Sequence, residues 1–418
     1  MLINATMLVK DPTIIQGLVD GSLVRFGSVI REAETGQIVR HLLETPGLTQ
    51  QLMTMPFDPV LGPVNAVSNI VGHSITATKL NAVQNSLSLI QGGLSSVLQL
   101  SQIAAGASVL NLGVSVVGFA YMAYKLNQLQ TSINTIQTSI ETGFDNVNQR
   151  LDAIAGHLAY LNLLVESSLQ EQKKLGQAIS DLHRTLLIQE MAALQAEFLT
   201  LSRYPNESQI PAMKVASRVR LFMTDQALQT KPANSVEAMV IADTAVQTWA
   251  AATAAEVYLL LNDGLFADAQ AVLQSTLPQF KNYTQQWSAA LLKEDCPQLS
   301  TAYRFATPRF KPYITQERIS RIASMSPFDS RLSDDQRWQK TQDAKIELEM
   351  FHNQGLGKPW LYRQIALAEY LDTMSELSAR LEGLQHFTDL CSRHNIRGYR
   401  DLQIDDSDQP NLYAIADG

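Results

Sequence analysis

Few side chains in this sequence stand at spacings that serve metal chemistry. Glu349 and His352 are three residues apart, which is the carboxylate and imidazole spacing of di-iron helical bundles. Because such bundles need two such elements and further inward carboxylates, a solvated helix face is the favoured interpretation. His386, Cys391 and His394 could offer soft ligands, but zinc sites usually need four residues in defined pairs. We therefore predict no metal and no cofactor.

The common motifs of catalysis and nucleotide binding are also missing from the sequence. It contains no Gly-x-x-x-x-Gly-Lys-Ser/Thr, Gly-x-Gly-x-x-Gly, His-Glu-x-x-His, Gly-x-Ser-x-Gly or paired Cys-x-x-Cys. In a chain of 418 residues this favours a protein without catalytic residues, and we predict that it is not an enzyme. A net charge of −8 argues against nucleic acid as a partner, because phosphate binding needs clustered Lys and Arg. Two cysteines imply no disulfide framework.

Positive charge is locally in excess in a segment, residues 303–321, that also carries aromatic side chains. One interpretation is binding to anionic lipid head groups. The favoured one is that the aromatic rings pack a domain junction while the arginines pair with nearby carboxylates. The residues concerned are Tyr303, Arg304, Phe305, Arg309, Phe310, Lys311, Tyr313, Arg318 and Arg321.

The most unusual stretch of the chain is residues 80–124, which contains no Asp, Glu, Lys, Arg or His. Within it, the 20 residues 103–122 would span about 30 Å as a helix, the thickness of a bilayer's hydrocarbon core. The window is only moderately apolar, because it includes Ser108, Asn111 and Ser115. It is long enough to cross a membrane and polar enough to belong to a soluble protein.

We predict that this window inserts into a membrane. The proposed inserting residues are Ile103, Val109, Leu110, Leu112, Val114, Val116, Val117, Phe119 and Met122. Small residues allow close helix contact in a bilayer, and Gly106, Gly113 and Gly118 would serve that purpose. The alternative is a helix buried in the core of a large bundle, since a helix that is apolar on all sides must be covered by protein or by lipid.

Helical periodicity surrounds the window. Before it, apolar residues of 80–102 recur at steps of three and four opposite an uncharged polar face. After it, heptad positions predict a coiled coil with a stutter between Ile140 and Phe144. The helix could continue to about residue 202, and such a rod needs partner helices from this chain or from copies of it. Its predicted core residues are Leu126, Leu129, Ile133, Ile136, Ile140, Phe144, Val147, Leu151, Ile154, Leu158, Leu161 and Val165.

The remaining segments differ from this middle part. Near the N-terminus, residues 22–31 predict a strand, a turn follows at 34–36, and residues 37–44 suit a second strand or a short helix. Later helices are predicted over 235–261, 333–353 and 359–391. The first of them continues from 263 as a helix-turn-helix. The acidic end of the sequence is predicted to be loose. The predicted divisions are a small irregular or α/β cap (1–75), the uncharged helical segment (76–124), the long coiled-coil helix (125–204), a C-terminal helical region (205–400) and an acidic tail (401–418).

The layout of residues 80–200, an uncharged amphipathic helix, a Gly-dotted apolar helix and a long heptad helix, resembles that of the ClyA-type helical pore-forming toxins. The resemblance covers about a third of the chain and is one of layout, and a compact cap stands where such toxins tend to have a long helix. Toxins of this type look like elongated helical bundles that hold an uncharged apolar segment between helices until it is released into a membrane. The resemblance implies a soluble protein that converts to an inserted oligomer.

We therefore expect a mainly α fold: an elongated bundle with one very long coiled-coil helix, an uncharged apolar helical segment and a small N-terminal cap with some β structure. The expected function is permeabilisation of a bilayer, with a lipid bilayer and copies of the chain or a helical partner protein as partners. A membrane-acting bacterial cell-death or defence effector is one alternative. A structural coiled-coil protein whose apolar segment is core is another.

The expected localisation follows from the N-terminal residues. They show no basic region followed by an apolar core and a small-residue cleavage site, which is the pattern of a secretory signal. We expect a cytoplasmic or soluble protein that becomes membrane-associated. Export would then need a dedicated machine or cell lysis.

Overall fold

The computed structural model describes residues 12–26, 29–44, 208–233, 236–293, 297–311, 313–352, 358–397 and 412–415, with Tyr204 and a few helical positions between 190 and 200. The predicted inserting residues of 103–122, the three glycines among them and the coiled-coil core of 126–165 lie outside the described residues. In the part that is described, the chain is mostly helical and carries one small sheet, which confirms the mainly α class. None of these helices has the length and apolar character needed to cross a bilayer.

The N-terminal cap begins with a short helix and continues as an antiparallel meander. Helix α1 (Pro12–Asp20) is followed by β1 (Leu23–Phe26), β2 (Val29–Glu32) and β3 (Ile38–Glu44). The single strand predicted over 22–31 is wrong, because Phe26 pairs with Val29 and the segment forms two strands of a hairpin. For residues 37–44 a strand and a short helix were both open, and the structure has a strand there, since its residues pair with β2. Gly36, in the turn before β3, has a φ of +70°, which glycine adopts at little steric cost.

A fourth strand comes from the far end of the chain. Strand β4 (Leu412–Ile415) pairs antiparallel with β3, so that Leu42 faces Ala414 and Glu44 faces Leu412. The expectation of a loose end is therefore wrong for these four residues. The acidic composition suggested a loose tail. Residues 412–415 are nevertheless mostly aromatic or branched apolar residues, which have strand propensity, and they pair with the edge strand β3. The strand order is β1, β2, β3, β4.

The helical body is built around a hairpin of two long helices. Helix α2 (Ile210–Gln229) precedes this hairpin and packs along its first helix, α3 (Val236–Asn262). The hairpin consists of α3 and α4 (Phe266–Leu292), which confirms the predicted helix-turn-helix. Gly264, with a φ of +74°, ends α3, and the amide of Leu265 donates to the carbonyl of Leu260 at 2.8 Å in a Schellman-type cap. Buried alanines along α3 let neighbouring helices approach closely: Ala242, Ala245, Ala250, Ala251, Ala252, Ala254 and Ala255.

A 37-residue helix, α7 (Lys358–His394), is the element against which several others pack. It contacts α3, α4, β1 and the short helix α5 (Gln316–Met325). Helix α6 (Asp334–His352) lies at the edge of the body against the 3-10 turns Pro297–Leu299 and Ala302–Ala306, and another 3-10 turn, Asp329–Arg331, precedes it. The predicted stripe of α7 is buried, including Leu367, Leu371, Met374, Leu377, Leu381 and Leu384.

A row of aromatic rings joins three of these helices. Trp249 of α3 lies 4.9 Å from Phe280 and 6.3 Å from Tyr283, both on α4, measured between ring centroids. Trp287, also on α4, is 5.6 Å from Tyr370 of α7 in an edge-to-face arrangement. Aromatic pairs of this kind add to the free energy of burial. The row therefore holds α3, α4 and α7 in one core.

Replacing a ring in this row should destabilise the body strongly. For Trp287→Ala we expect a loss of about 3–5 kcal/mol in the free energy of unfolding, because the side chain is fully buried and leaves a cavity. The matched control is Trp338→Ala on α6, whose side chain is 63% exposed, and it should change stability little. Urea unfolding followed by circular dichroism measures both. Equal effects of the two variants would contradict this account of the core.

Candidate functional site

The side chains first considered as metal ligands lie in different surroundings. Glu349 is exposed on α6, as expected for a solvated helix face. On α7, Cys391 is buried, His386 is half-buried and His394 is exposed. Among the described residues, no group of three or more His, Cys, Asp or Glu side chains is placed to hold a metal ion.

Most of the aromatic and basic segment 303–321 folds into the core, but Lys311 and Tyr313 are exposed. Tyr303, Phe305 and Phe310 are buried, and the guanidinium of Arg304 is fully enclosed. Arg304 donates to the backbone carbonyls of Leu292, at 2.9 Å, and Leu299. These contacts confirm the packing interpretation for this part of the segment. A buried guanidinium that bonds to carbonyl oxygens fixes the chain where α4 ends.

The two arginines at the end of that segment enter a buried network of ion pairs between α5 and α7. Arg321 makes a bidentate pair with Asp372, at 2.8 and 2.9 Å, and Arg318 donates to the same carboxylate at 2.9 Å. Glu376 lies 3.4 Å from Arg321 and accepts from Arg380 at 2.8 Å. All five side chains are at most 19% exposed. Each charge of the network lies beside an opposite one, which a buried charge requires, and three guanidinium groups share two carboxylates.

Another buried carboxylate joins α2 to α3. Glu256 of α3 accepts hydrogen bonds from Ser217 and Arg220 of α2, at 2.5 Å in each case. Its side chain is 7% exposed and that of Arg220 is 14% exposed. Because both partners lie on α2, this contact fixes how α2 rotates against α3.

The interior of the helical body contains a polar group that stays neutral. Burial raises the pKa of the Tyr283 hydroxyl far above its usual range, and the nearby carboxylate of Asp243 adds to the shift. The hydroxyl therefore remains protonated and donates to the carbonyl of Ala242 at 3.5 Å. Asp243 accepts from the amide of Gln247 at 2.7 Å. These contacts stabilise the interior and place no charge on the phenol.

The sheet of the cap meets the helical body at a small group of charged side chains. Arg31 of β2 pairs with Glu382 of α7 at 3.4 Å, and both side chains are mostly buried, at 17% and 14% exposure. The guanidinium of Arg31 also stacks over Phe26 of β1, 4.4 Å from the ring centroid. From α4, Lys281 reaches the same carboxylate. Glu382 thus joins the sheet to two helices.

His386 lies on the same face of α7, four residues after Glu382, and Asp389 follows three residues later. Burial lowers the pKa of His386, and the positive charges of Arg31 and Lys281 lower it further, against the opposing effect of Asp389 and Glu382. The imidazole is therefore neutral at neutral pH. We call Arg31, Lys281, Glu382, His386 and Asp389 the cap junction, and it is the candidate functional site of the described residues.

Sequence reasoning missed three of the five residues of the ion-pair network and four of the five in the cap junction, where it considered His386 only as a metal ligand. Asp372, Glu376 and Arg380 recur every four residues within an apolar stripe, which was a signal for charges on a buried helix face. Arg31 and Glu382 are far apart in the chain and follow no common period. Comparisons with known proteins give no match for this chain, whether with protein families, with curated sequences or with solved structures.

Removing the shared carboxylate of the network should destabilise the protein. Asp372→Asn leaves Arg318 and Arg321 largely buried without their common counter-charge, and we expect a loss of about 3–5 kcal/mol in the free energy of unfolding. The control is Asp334→Asn, which removes the partner of Arg337 in an exposed ion pair and should have no measurable effect. Chemical denaturation of both variants tests this. A mild effect of Asp372→Asn would mean that the network contributes little to stability.

Proposed function

We propose that this protein converts from a soluble form to an inserted oligomer and permeabilises a lipid bilayer. The observation that carries the proposal is the stretch 80–124, in which 45 consecutive residues include no Asp, Glu, Lys, Arg or His. Within it, the apolar window 103–122 is long enough to cross a bilayer, and a helix that is apolar on all sides must be covered by protein or by lipid. The window 103–122 is the proposed inserting element, with the amphipathic 80–102 beside it.

The mechanism is hydrophobic transfer of the window from its soluble environment into lipid. Leu, Ile, Val and Phe positions favour the transfer, whereas Asn111 and the serines oppose it because their polar groups need partners in hydrocarbon. Neighbouring subunits would supply those partners by interhelical hydrogen bonds, and Gly106, Gly113 and Gly118 would allow the close approach that such bonds require. Insertion of this window therefore requires an oligomer.

The proposal assigns the helical body, which follows the window in the chain, the role of the part that stays in solution. Among the described residues, the large hydrophobic core is formed by side chains between Leu194 and Cys391, all of which follow the window in the chain. The ion pairs of Asp372 and Glu376 and the aromatic row lie in the same part. On this proposal the body stays folded while residues 80–124 rearrange.

Two alternatives share part of this reasoning. A bacterial cell-death or defence effector would use the same insertion against the membrane of its own cell. A structural protein would use the heptads of 126–165 to bind partner helices and keep 103–122 as core. The second alternative predicts a protein that ignores liposomes.

A charge in the middle of the window should abolish membrane activity. For Val117→Asp we expect dye release from liposomes to fall more than ten-fold, because a charged residue near the bilayer centre costs about 2.5–3.5 kcal/mol on insertion. Flotation of the protein with liposomes, measured in parallel, separates binding from permeabilisation.

The matched control is Leu221→Asp on α2, where the side chain is 60% exposed and the same charge meets only solvent. This variant should release dye like the wild type. If Val117→Asp also does so, residues 103–122 are not the inserting element. If the wild type neither floats with liposomes nor releases dye, the window is core and the structural alternative holds.

A further inference from the structure

The cap junction places one titratable imidazole among charges that come from three elements. We propose that docking of the β sheet onto the helical body depends on pH, and that protonation of His386 weakens it. The inference concerns the contact between the sheet and α7 alone and does not depend on any membrane activity.

Geometry gives the first part of the argument. Glu382, His386 and Asp389 share one face of α7, where residues three and four apart are neighbours. Arg31 of β2 and Lys281 of α4 approach that face from the two packed elements. The imidazole therefore has two cations and two carboxylates around it, and it is close to the ion pair that links the sheet to α7.

Burial of this ion pair makes it sensitive to a new charge. The side chains of Arg31 and Glu382 are 17% and 14% exposed, so water screens their interaction less than it would at the surface. A proton on His386 would place a third positive charge beside Arg31 and Lys281. The imidazolium would repel Arg31 and compete with it for Glu382.

The sign of the pH effect follows from the lowered pKa of His386, caused first by burial and then by Arg31. When the sheet is released and the imidazole is exposed to water, its pKa returns towards about 6.5, the ordinary value. The undocked form then binds the proton more tightly than the docked form. Docking is therefore strongest above about pH 6.5 and weakens as the pH falls below it, by at most about ten-fold per pH unit because one proton is involved.

Energy transfer between two dyes on the full-length chain can measure docking directly. Thr35, in the exposed turn of the cap, and Ser275, exposed on α4, are suitable labelling positions as Thr35→Cys and Ser275→Cys in a Cys296→Ser background, with the buried Cys391 retained. We expect transfer efficiency to be constant between pH 8 and 7 and to fall between pH 6.5 and 5. Circular dichroism over the same range reports whether the helices remain folded.

Two substitutions at one position make the test decisive. His386→Gln keeps a neutral polar side chain and should remove the fall in transfer efficiency below pH 6.5. His386→Lys carries a permanent positive charge and should give the low efficiency already at pH 7.5. The proposal is wrong if the wild type shows no fall down to pH 5, if His386→Gln shows the same fall, or if folded His386→Lys remains docked at pH 7.5.

Discussion

Compensation of buried charge along α7 is the constraint on which the described structure depends. This helix carries Asp372, Glu376 and Arg380 in the interior and Glu382 where the sheet docks. Each of these groups would cost several kcal/mol if it were left without an opposite charge. Helix α5 must therefore present Arg318 and Arg321 at one position, and β2 must present Arg31 at another. Apolar packing holds α3 and α4 against α7, but the charges determine where the smaller elements sit.

The helices of the body could be predicted because their signals are local. The three-four stripe of α7 and the Asp263-Gly264 break between α3 and α4 specify where helices run and turn, whatever their partners are. The burial of Tyr303, Phe305 and Phe310 in the 303–321 segment could also be anticipated, because aromatic rings contribute most to stability when they pack in a core. These predictions required no knowledge of which helices touch.

The sheet and the cap junction could not be predicted because they depend on pairs that are distant in sequence. Nothing near Leu412 indicates that it will pair with Glu44, and nothing near Arg31 indicates Glu382. A strand or an ionised side chain can pair with any complementary partner. Which partner it meets is determined by the fold of the whole body. The predicted inserting and coiled-coil residues stay predictions, and the proposal built on them rests on composition and periodicity.

Pairing of β3 with β4 has a consequence for how the protein is made. Residues 412–415 leave the ribosome long after residues 38–44, roughly 20 seconds to over a minute later at about 5–20 residues per second. During that interval β3 has an open edge of unpaired amides and carbonyls, which is a template for pairing with a second nascent chain. The sheet can therefore be completed only after all the described helices have been synthesised.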